Sequence, residues 1–258
     1  MPNPKLPGNP IVEAACEFRL PEDAGNLTLP GLLYAEVGRR YSVIDHAPFQ
    51  INVLVGGQGL PQTLFPPVTL FDQERASAIR VVGPRVSIHR LRPYTGWEES
   101  FLPDIEEAVG AISRVLPGVA FEAVQLRYLN RLTLAARTVE ELGAWVNVGD
   151  LMAMRQPGAS LVHFALRLAE VRDGTIREVG LMAEGDAFQT GSPPEGPRSF
   201  LLDLLYGRGA IAAEGLRQWL TEAHVGIYEA FLRCTSAALR ERFTVAHGDG
   251  GDESCPPS

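Results

Sequence analysis

The chain has 258 residues, of which 45% are hydrophobic and 21% are charged, and its formal net charge at pH 7 is −8. This composition is typical of a globular protein with a sizeable core, and the negative charge disfavours non-specific binding to nucleic acid, which depends on neutralising phosphates. No stretch predicts a transmembrane helix, and the first ten residues, with four prolines, lack the apolar region of a signal peptide. The three widely spaced cysteines predict neither a disulfide scaffold nor a zinc site. We therefore expect a cytoplasmic protein that is not membrane-bound.

The first half of the chain has the periodicities of an α+β region over residues 11–134, preceded by an extended, proline-rich lead-in at residues 1–10. Alternation of apolar and polar side chains predicts strands, and apolar residues three or four apart predict helices. The predicted elements are a strand, a helix, three strands, a helix and a strand, at residues 11–20, 29–41, 49–55, 78–82, 85–92, 101–116 and 121–134. This order is typical of a mostly antiparallel sheet with packed helices.

The second half, residues 135–243, repeats this mixture of strands and helices. The predicted elements are a short helix, three strands and a long C-terminal stretch of one helix or two abutting helices, at residues 139–145, 161–171, 176–188, 200–206 and 211–243. The similar content of the two halves suggests two duplicated lobes within one α+β protein. The remaining residues, 244–258, are acidic and rich in glycine and proline, and we expect them to form a disordered tail.

Two arginines, Arg127 and Arg131, lie on one face of the predicted strand at 121–134, because side chains alternate along a strand. Guanidinium groups on such a face need anionic partners, which come either from the protein or from a ligand. Glu13 and Glu17 have the same four-residue spacing on the first strand. We therefore predict that the two strands are neighbours and that each arginine pairs with its own glutamate, as a structural row of ion pairs.

The alternative is a ligand-binding pocket that these four residues form together with Arg19 and Arg90. In this alternative the arginines hold phosphate oxygens and the carboxylates hold a divalent metal, as in tunnel-fold triphosphatases. The match to that class is loose because its strand alternates glutamate with lysine, whereas Lys5 is the only lysine of this chain.

The chain carries no recognisable catalytic motif. There is no G-x-S-x-G sequence, and none of the five histidines has the spacing of a zinc site, so we predict no metal site and no cofactor. His224, within the predicted C-terminal helix, has either a packing and hydrogen-bonding role, which we favour, or the role of a general base. These features favour a protein that is not an enzyme.

The C-terminal helical stretch spans roughly 45 to 50 Å at 1.5 Å per residue, which is longer than a domain of this size needs. An end that projects from the domain could form a homodimer or bind another protein. Trp219, His224 and Phe231 are the candidate interface residues on this stretch.

Four segments carry a resemblance to a known family. They read IVEAACEFRL from Ile11, Y-x-x-W-x-x-x-F from Tyr94, LRYLNR from Leu126 and A-H-x-x-I-x-x-x-F from Ala223. In this order they resemble a sporadically distributed family of uncharacterised bacterial and archaeal proteins of similar length, and the resemblance runs from residue 11 to 243. It implies no established activity, cofactor or catalytic residue, but the patchy distribution implies a regulatory, antitoxin-like role at defence-associated loci.

The sequence as a whole favours a non-enzymatic regulatory or accessory component that acts by binding another protein, and a protein encoded nearby is one candidate partner. The alternative is an enzyme or sensor for a phosphorylated small molecule or nucleotide that uses the face lined by glutamate and arginine. A further alternative, binding of structured RNA through arginines, is disfavoured by the net charge.

Overall fold

The computed structural model describes residues 9–24, 27–46, 67–147, 165–184 and 196–244. Within these ranges, nine strands lie at Ile11–Arg19 (β1), Val43–His46 (β2), Val68–Phe71 (β3), Ser77–Val82 (β4), Arg85–Leu91 (β5), Ala123–Leu134 (β6), Ala165–Arg172 (β7), Thr175–Ala183 (β8) and Arg198–Arg208 (β9). The helices are Leu29–Val37 (α1), Leu102–Val115 (α2), Val139–Gly143 (α3), Ala213–Cys234 (α4) and Ala237–Thr244 (α5), with a π-helical turn at Trp97–Phe101 before α2 and a 3-10 turn at Glu22–Ala24. The predicted α+β class is confirmed.

All nine strands form one antiparallel sheet, in the order β2-β3-β4-β5-β1-β6-β9-β8-β7. The first strand of each half (β1 or β6) lies at the centre of the sheet. The later strands of that half follow in chain order from the outer edge of the sheet towards the centre. In both halves a helix follows the central strand and another helix follows the last strand. The topology is therefore duplicated about the β1–β6 pair. Strand β6 is the first strand of the second half, which has one described strand fewer than the first half.

Several boundaries differ from the sequence prediction for local reasons. Helix α1 ends at Val37, four residues early, where the chain turns and the backbone N–H groups of Arg40 and Tyr41 both bond to the carbonyl of Val37. The long C-terminal stretch is two helices because Thr235 is extended and Ser236 caps α5 by accepting a hydrogen bond from the backbone of Leu239. The predicted strand at 49–55, most of the lead-in and almost all of the tail lie outside the described residues.

The helices and one face of the sheet enclose a single hydrophobic core. Alternate residues of β1 and β6, such as Cys16, Phe18 and Leu126, are fully buried in it, together with Phe101 and Ile105 at the start of α2. We call this face the helix side. The other alternate residues form what we call the open face, since no helix in the described ranges contributes to it; its members include Glu13, Glu17, Arg127, Arg131, Glu178 and Asp203.

A polar cluster lies inside this core, at the start of α2. The carboxylate of Asp104, which is 1% exposed, accepts hydrogen bonds from Arg40 and, at 3.0 Å, from the hydroxyl of Ser77. Nε of Arg90 lies 3.3 Å from the same carboxylate, and the hydroxyl of Tyr41 lies 3.0 Å from that of Ser77. A buried charge is stable only with such partners, so the cluster joins the turn after α1 to α2, β4 and β5.

We expect Asp104→Ala to lower the free energy of unfolding by about 3 kcal/mol, because it leaves polar partners of a buried carboxylate unpaired. Glu107 is the matched control, since it also pairs with Arg40, at 2.6 Å, but its side chain is 36% exposed. Glu107→Ala should cost less than about 1 kcal/mol. Urea unfolding of both variants measures the difference, and equal losses would contradict a buried role for Asp104.

Candidate functional site

The arginines that the sequence singled out on β6 both find carboxylates within the protein. Arg127 donates from Nε and Nη2 to the two carboxylate oxygens of Asp203 on β9, each at 2.7 Å. Arg131 donates in the same forked way to Glu184, just after β8, with both distances 2.8 Å. Such bidentate pairs fix the orientation of both side chains, and the acidic partner raises the pKa of each arginine.

The predicted pairing of these arginines with Glu13 and Glu17 is therefore wrong, although β1 and β6 are antiparallel neighbours as predicted. The register places Ala15 directly opposite Arg127, and Gln125 opposite Glu17. The carboxylate of Glu13 instead accepts a hydrogen bond from Nδ1 of His89 on β5, at 2.6 Å, and this bond lowers the pKa of Glu13. The equal spacing of the glutamates and the arginines did not determine which residues of the two strands lie opposite each other. In addition, β6 has a second neighbour, β9, whose Asp203 is the partner of Arg127.

The two other candidate arginines do not join Arg127 and Arg131. Arg90 lies opposite Ala14 and Ser77, both of which face the core, so it is on the helix side with Asp104. Arg19 lies at the end of β1, with carboxylates of Glu22 and Glu122 at 3.1 and 3.4 Å. The pocket predicted from the combined set is not formed, and the open face around Arg127 is a structural row of ion pairs with other partners than predicted.

A second group of residues, which the family resemblance had named from three distant segments, meets on the helix side. The hydroxyl of Tyr128 lies 3.1 Å from that of Tyr94 and 3.0 Å from Nδ1 of His224. The imidazole stacks on the indole of Trp97, with ring centres 4.5 Å apart and planes 4° apart, and Phe101 packs edge-on against Tyr128. We call these five residues the aromatic cluster.

Burial lowers the pKa of His224 to about 4, so its ring is neutral at pH 7. The Nδ1 atom of a neutral imidazole can accept a hydrogen bond from the hydroxyl of Tyr128. The oxygen of that hydroxyl can then accept a hydrogen bond from the hydroxyl of Tyr94. The cluster lies between β6, α4 and the π-helical turn and joins the two halves of the fold. The geometry agrees with a packing and hydrogen-bonding role for His224.

The candidate interface residues on the C-terminal helix are mostly core residues. Trp219 and Phe231 are about nineteen-twentieths buried and belong to the main hydrophobic cluster, so their predicted role as interface residues is wrong. They lie on one stripe of α4 because this side of the helix packs against β6 and β9. Val225 and Leu232 are the apolar side chains that α4 exposes instead.

Among the described residues, four exposed apolar side chains lie together elsewhere, on the hairpin of β7 and β8. Val171 is 73% exposed and Leu168 is 56% exposed, and Ile176 and Met182 on β8 are also exposed. Strand β7 is the outermost strand of the sheet on this side. The sequence predicted strands at 161–171 and 176–188 but not their edge position, because order within a sheet depends on long-range pairing.

Among the described residues, no three His, Cys, Asp or Glu side chains are grouped so that they could hold a metal ion. Within the same ranges, no helix combines the length and the apolar character that crossing a membrane requires.

We expect the two partners of the central ion pair to respond unequally to removal. Arg127→Ala leaves the nearly buried carboxylate of Asp203 without its partner and should cost about 3 kcal/mol of unfolding free energy. Asp203→Ala leaves a guanidinium that is half-exposed and can be hydrated, and should cost about 1 kcal/mol. Chemical unfolding of both variants tests the order, and a reversed order would contradict this assignment.

The neutral state of His224 predicts a stability that depends on pH. Because the folded pKa of about 4 lies below the ordinary value of 6.5, the unfolded chain binds more protons between these values. The free energy of unfolding should therefore fall by about 2 kcal/mol between pH 6.5 and pH 4.5.

His224→Gln, which keeps a hydrogen-bonding side chain without a titrating ring, should lose this part of the pH dependence. Urea unfolding at several pH values measures both slopes. Identical slopes in the two proteins would show that the imidazole is not held neutral.

A scan with models of known protein families found no match to this chain, and a search of curated proteins found no significantly similar sequence. Membership of the family that the four motifs resemble therefore stays a prediction. What the fold adds is that Tyr94, Trp97 and Phe101 of one motif meet Tyr128 and His224 of two others.

Proposed function

We propose that this protein is a non-enzymatic, cytoplasmic binding component that docks a partner protein along the edge strand β7. The observation that carries the proposal is the combination, on one hairpin, of an outermost strand with exposed apolar side chains on both of its faces. Exposed apolar patches of this kind are typical of interaction sites.

The backbone of β7 is suited to accept another strand. It pairs with β8 over all eight residues, Ala165–Arg172, without a bulge and without a proline, and its outer side has no strand neighbour in the described part of the chain. Natural edge strands are usually short, bulged or protected by proline or charge. Strand β7 lacks the first three protections, so its outer N–H and C=O groups can bond to an extended partner segment.

Charged side chains of this hairpin form ion pairs with one another. Arg167 is hydrogen-bonded to Glu178 on β8, and the guanidinium of Arg177 lies 3.5 Å from the carboxylate of Glu170. Cross-strand pairs of this kind reduce the repulsion that unpaired charges on an edge would exert on an incoming strand.

The apolar side chains define what kind of segment would fit. Val171 lies directly opposite Ile176 on the open face, and Leu168 lies on the helix side of the same strand. An added strand would place alternate side chains over both surfaces. We therefore propose a partner that offers an extended segment with apolar residues on both faces and little net charge.

This role is consistent with the regulatory function implied by the family resemblance, in which the partner is a protein encoded nearby. The cytoplasmic location is proposed because three widely spaced cysteines suit a reducing compartment. A homodimer through the C-terminal helix would have to use exposed residues such as Val225, since Trp219 and Phe231 are in the core.

The proposal is tested by placing a charge on the edge strand. Val171→Asp should leave the stability within about 0.5 kcal/mol of the parent protein, because the side chain is largely exposed. Proteins that co-purify with the parent from its own cells should be reduced at least ten-fold with Val171→Asp, as measured by quantitative mass spectrometry.

Leu32→Asp on α1 is the matched control, because it changes another exposed apolar side chain to the same acid and Leu32 lines neither of the two clefts that α4 borders. It should retain the same partners as the parent protein. Equal recovery of every partner with the two variants would refute docking at β7.

A further inference from the structure

A cleft of about 440 Å³ lies on the helix side, between α4 and the ends of β8 and β9. Its sheet wall includes Arg177, Tyr206 and Arg208, and its helix wall includes Trp219 and Arg233. A smaller cleft of about 280 Å³ adjoins it and shares Arg208 and Trp219. The volume of the larger cleft is within the range of small-molecule sites.

The three guanidinium groups in the cleft are much less well paired than those of the open face. The side chain of Arg208 is exposed and makes no hydrogen bond or ion pair with any residue in the described ranges. Nε of Arg177 is buried without a hydrogen-bond partner, and its Nη1 lies 3.5 Å from the carboxylate of Glu170, which is longer than the 2.7 Å of the pair that Arg127 forms. Arg233 has a carboxylate oxygen of Glu229 at 3.8 Å, one turn away on the same helix, which is a weak contact. Positive charge is therefore available in the cleft, whereas Arg127 is fully engaged.

The floor of the cleft is aromatic and closely fitted. The guanidinium of Arg177 lies over the ring of Tyr206, 5.1 Å from its centre. A Cβ atom at Gly226 would come within 2.5 Å of that ring, so glycine allows α4 to lie against Tyr206. The carboxylates of Glu222 and Glu229 also line the cleft, and they would accept hydrogen bonds from hydroxyl or amino groups.

We propose that this cleft binds a small phosphorylated molecule. The planar, forked guanidinium group suits phosphate oxygens, so Arg177 and Arg208 would hold the phosphate. Glu222 and Glu229 would accept hydrogen bonds from the hydroxyl or amino donors of the same ligand, and the exposed side chain of Val225, which also lines the cleft, would contact its apolar part. The site is distinct from the open face, where sequence analysis placed an alternative anion site.

Calorimetric titration of the full chain with adenosine monophosphate, adenosine and inorganic phosphate tests the proposal at low ionic strength, where charge interactions are least screened. Adenosine monophosphate should bind saturably, and at least ten-fold more tightly than adenosine. No saturable binding of any of these probes at millimolar concentration, or equal binding of adenosine and its monophosphate, would overturn the proposal.

Arg208→Gln locates the site, because Arg208 is exposed and its replacement should not disturb folding. It should weaken binding of adenosine monophosphate at least ten-fold. Arg85→Gln is the matched control, since Arg85 is an exposed arginine on β5 that lines neither cleft. Equal weakening by both substitutions would show a general effect of net charge and would also overturn the proposal. Val171→Asp, which tests docking at β7, leaves the arginines of the cleft in place, so failure of one proposal is distinguishable from failure of the other.

Discussion

The alternation of side chains along β6 is the constraint on which the rest of the structure depends. This strand lies between β1 and β9 at the centre of the sheet, so each side chain enters the core or reaches the open face. A shift of one residue in the register of β6 would turn Leu126 and Tyr128 to the open face and Arg127 into the core. It would thereby bury a guanidinium group among apolar side chains. The arginines therefore act as register markers, and the strand that they fix aligns both halves of the protein.

The central ion pairs of the open face each form within one half of the fold, and other contacts join the two halves. On the open face, Arg127 pairs with Asp203 within the second half, whereas Glu13 pairs with His89 within the first. Between them, the halves share the backbone hydrogen bonds of β1 and β6, the common core and the aromatic cluster, in which His224 of α4 stacks on Trp97. An ion pair on the helix side, with Nη1 of Arg217 on α4 2.9 Å from the carboxylate of Glu106 on α2, also joins them. This division is what a duplicated topology would be expected to retain, since each half keeps a set of internal partners.

Sequence patterns were sufficient where a structure depends on neighbours in the chain. The β7–β8 hairpin follows from Asp173 and Gly174, which have the positive φ angles of 51° and 72° that such a turn favours. The four-residue strands β2 and β3 were missed because they are too short to show alternation. The partner of Arg127 was missed because it depends on which strand lies on the far side of β6, although a signal existed: Asp203 is the only acid in the apolar run FLLDLLY of β9.

The two proposed sites meet at Arg177. Its guanidinium lies over Tyr206 in the cleft, while Nη1 is 3.5 Å from the exposed carboxylate of Glu170 on β7. A partner strand that draws Glu170 into contacts of its own would leave Arg177 less neutralised, and an anion in the cleft would then bind more tightly. Coupling between two binding sites is reciprocal, so an anion on Arg177 would favour the same partner by the same factor. A shared arginine is therefore enough to make docking at the edge sensitive to a small molecule, without any change in the backbone of the sheet.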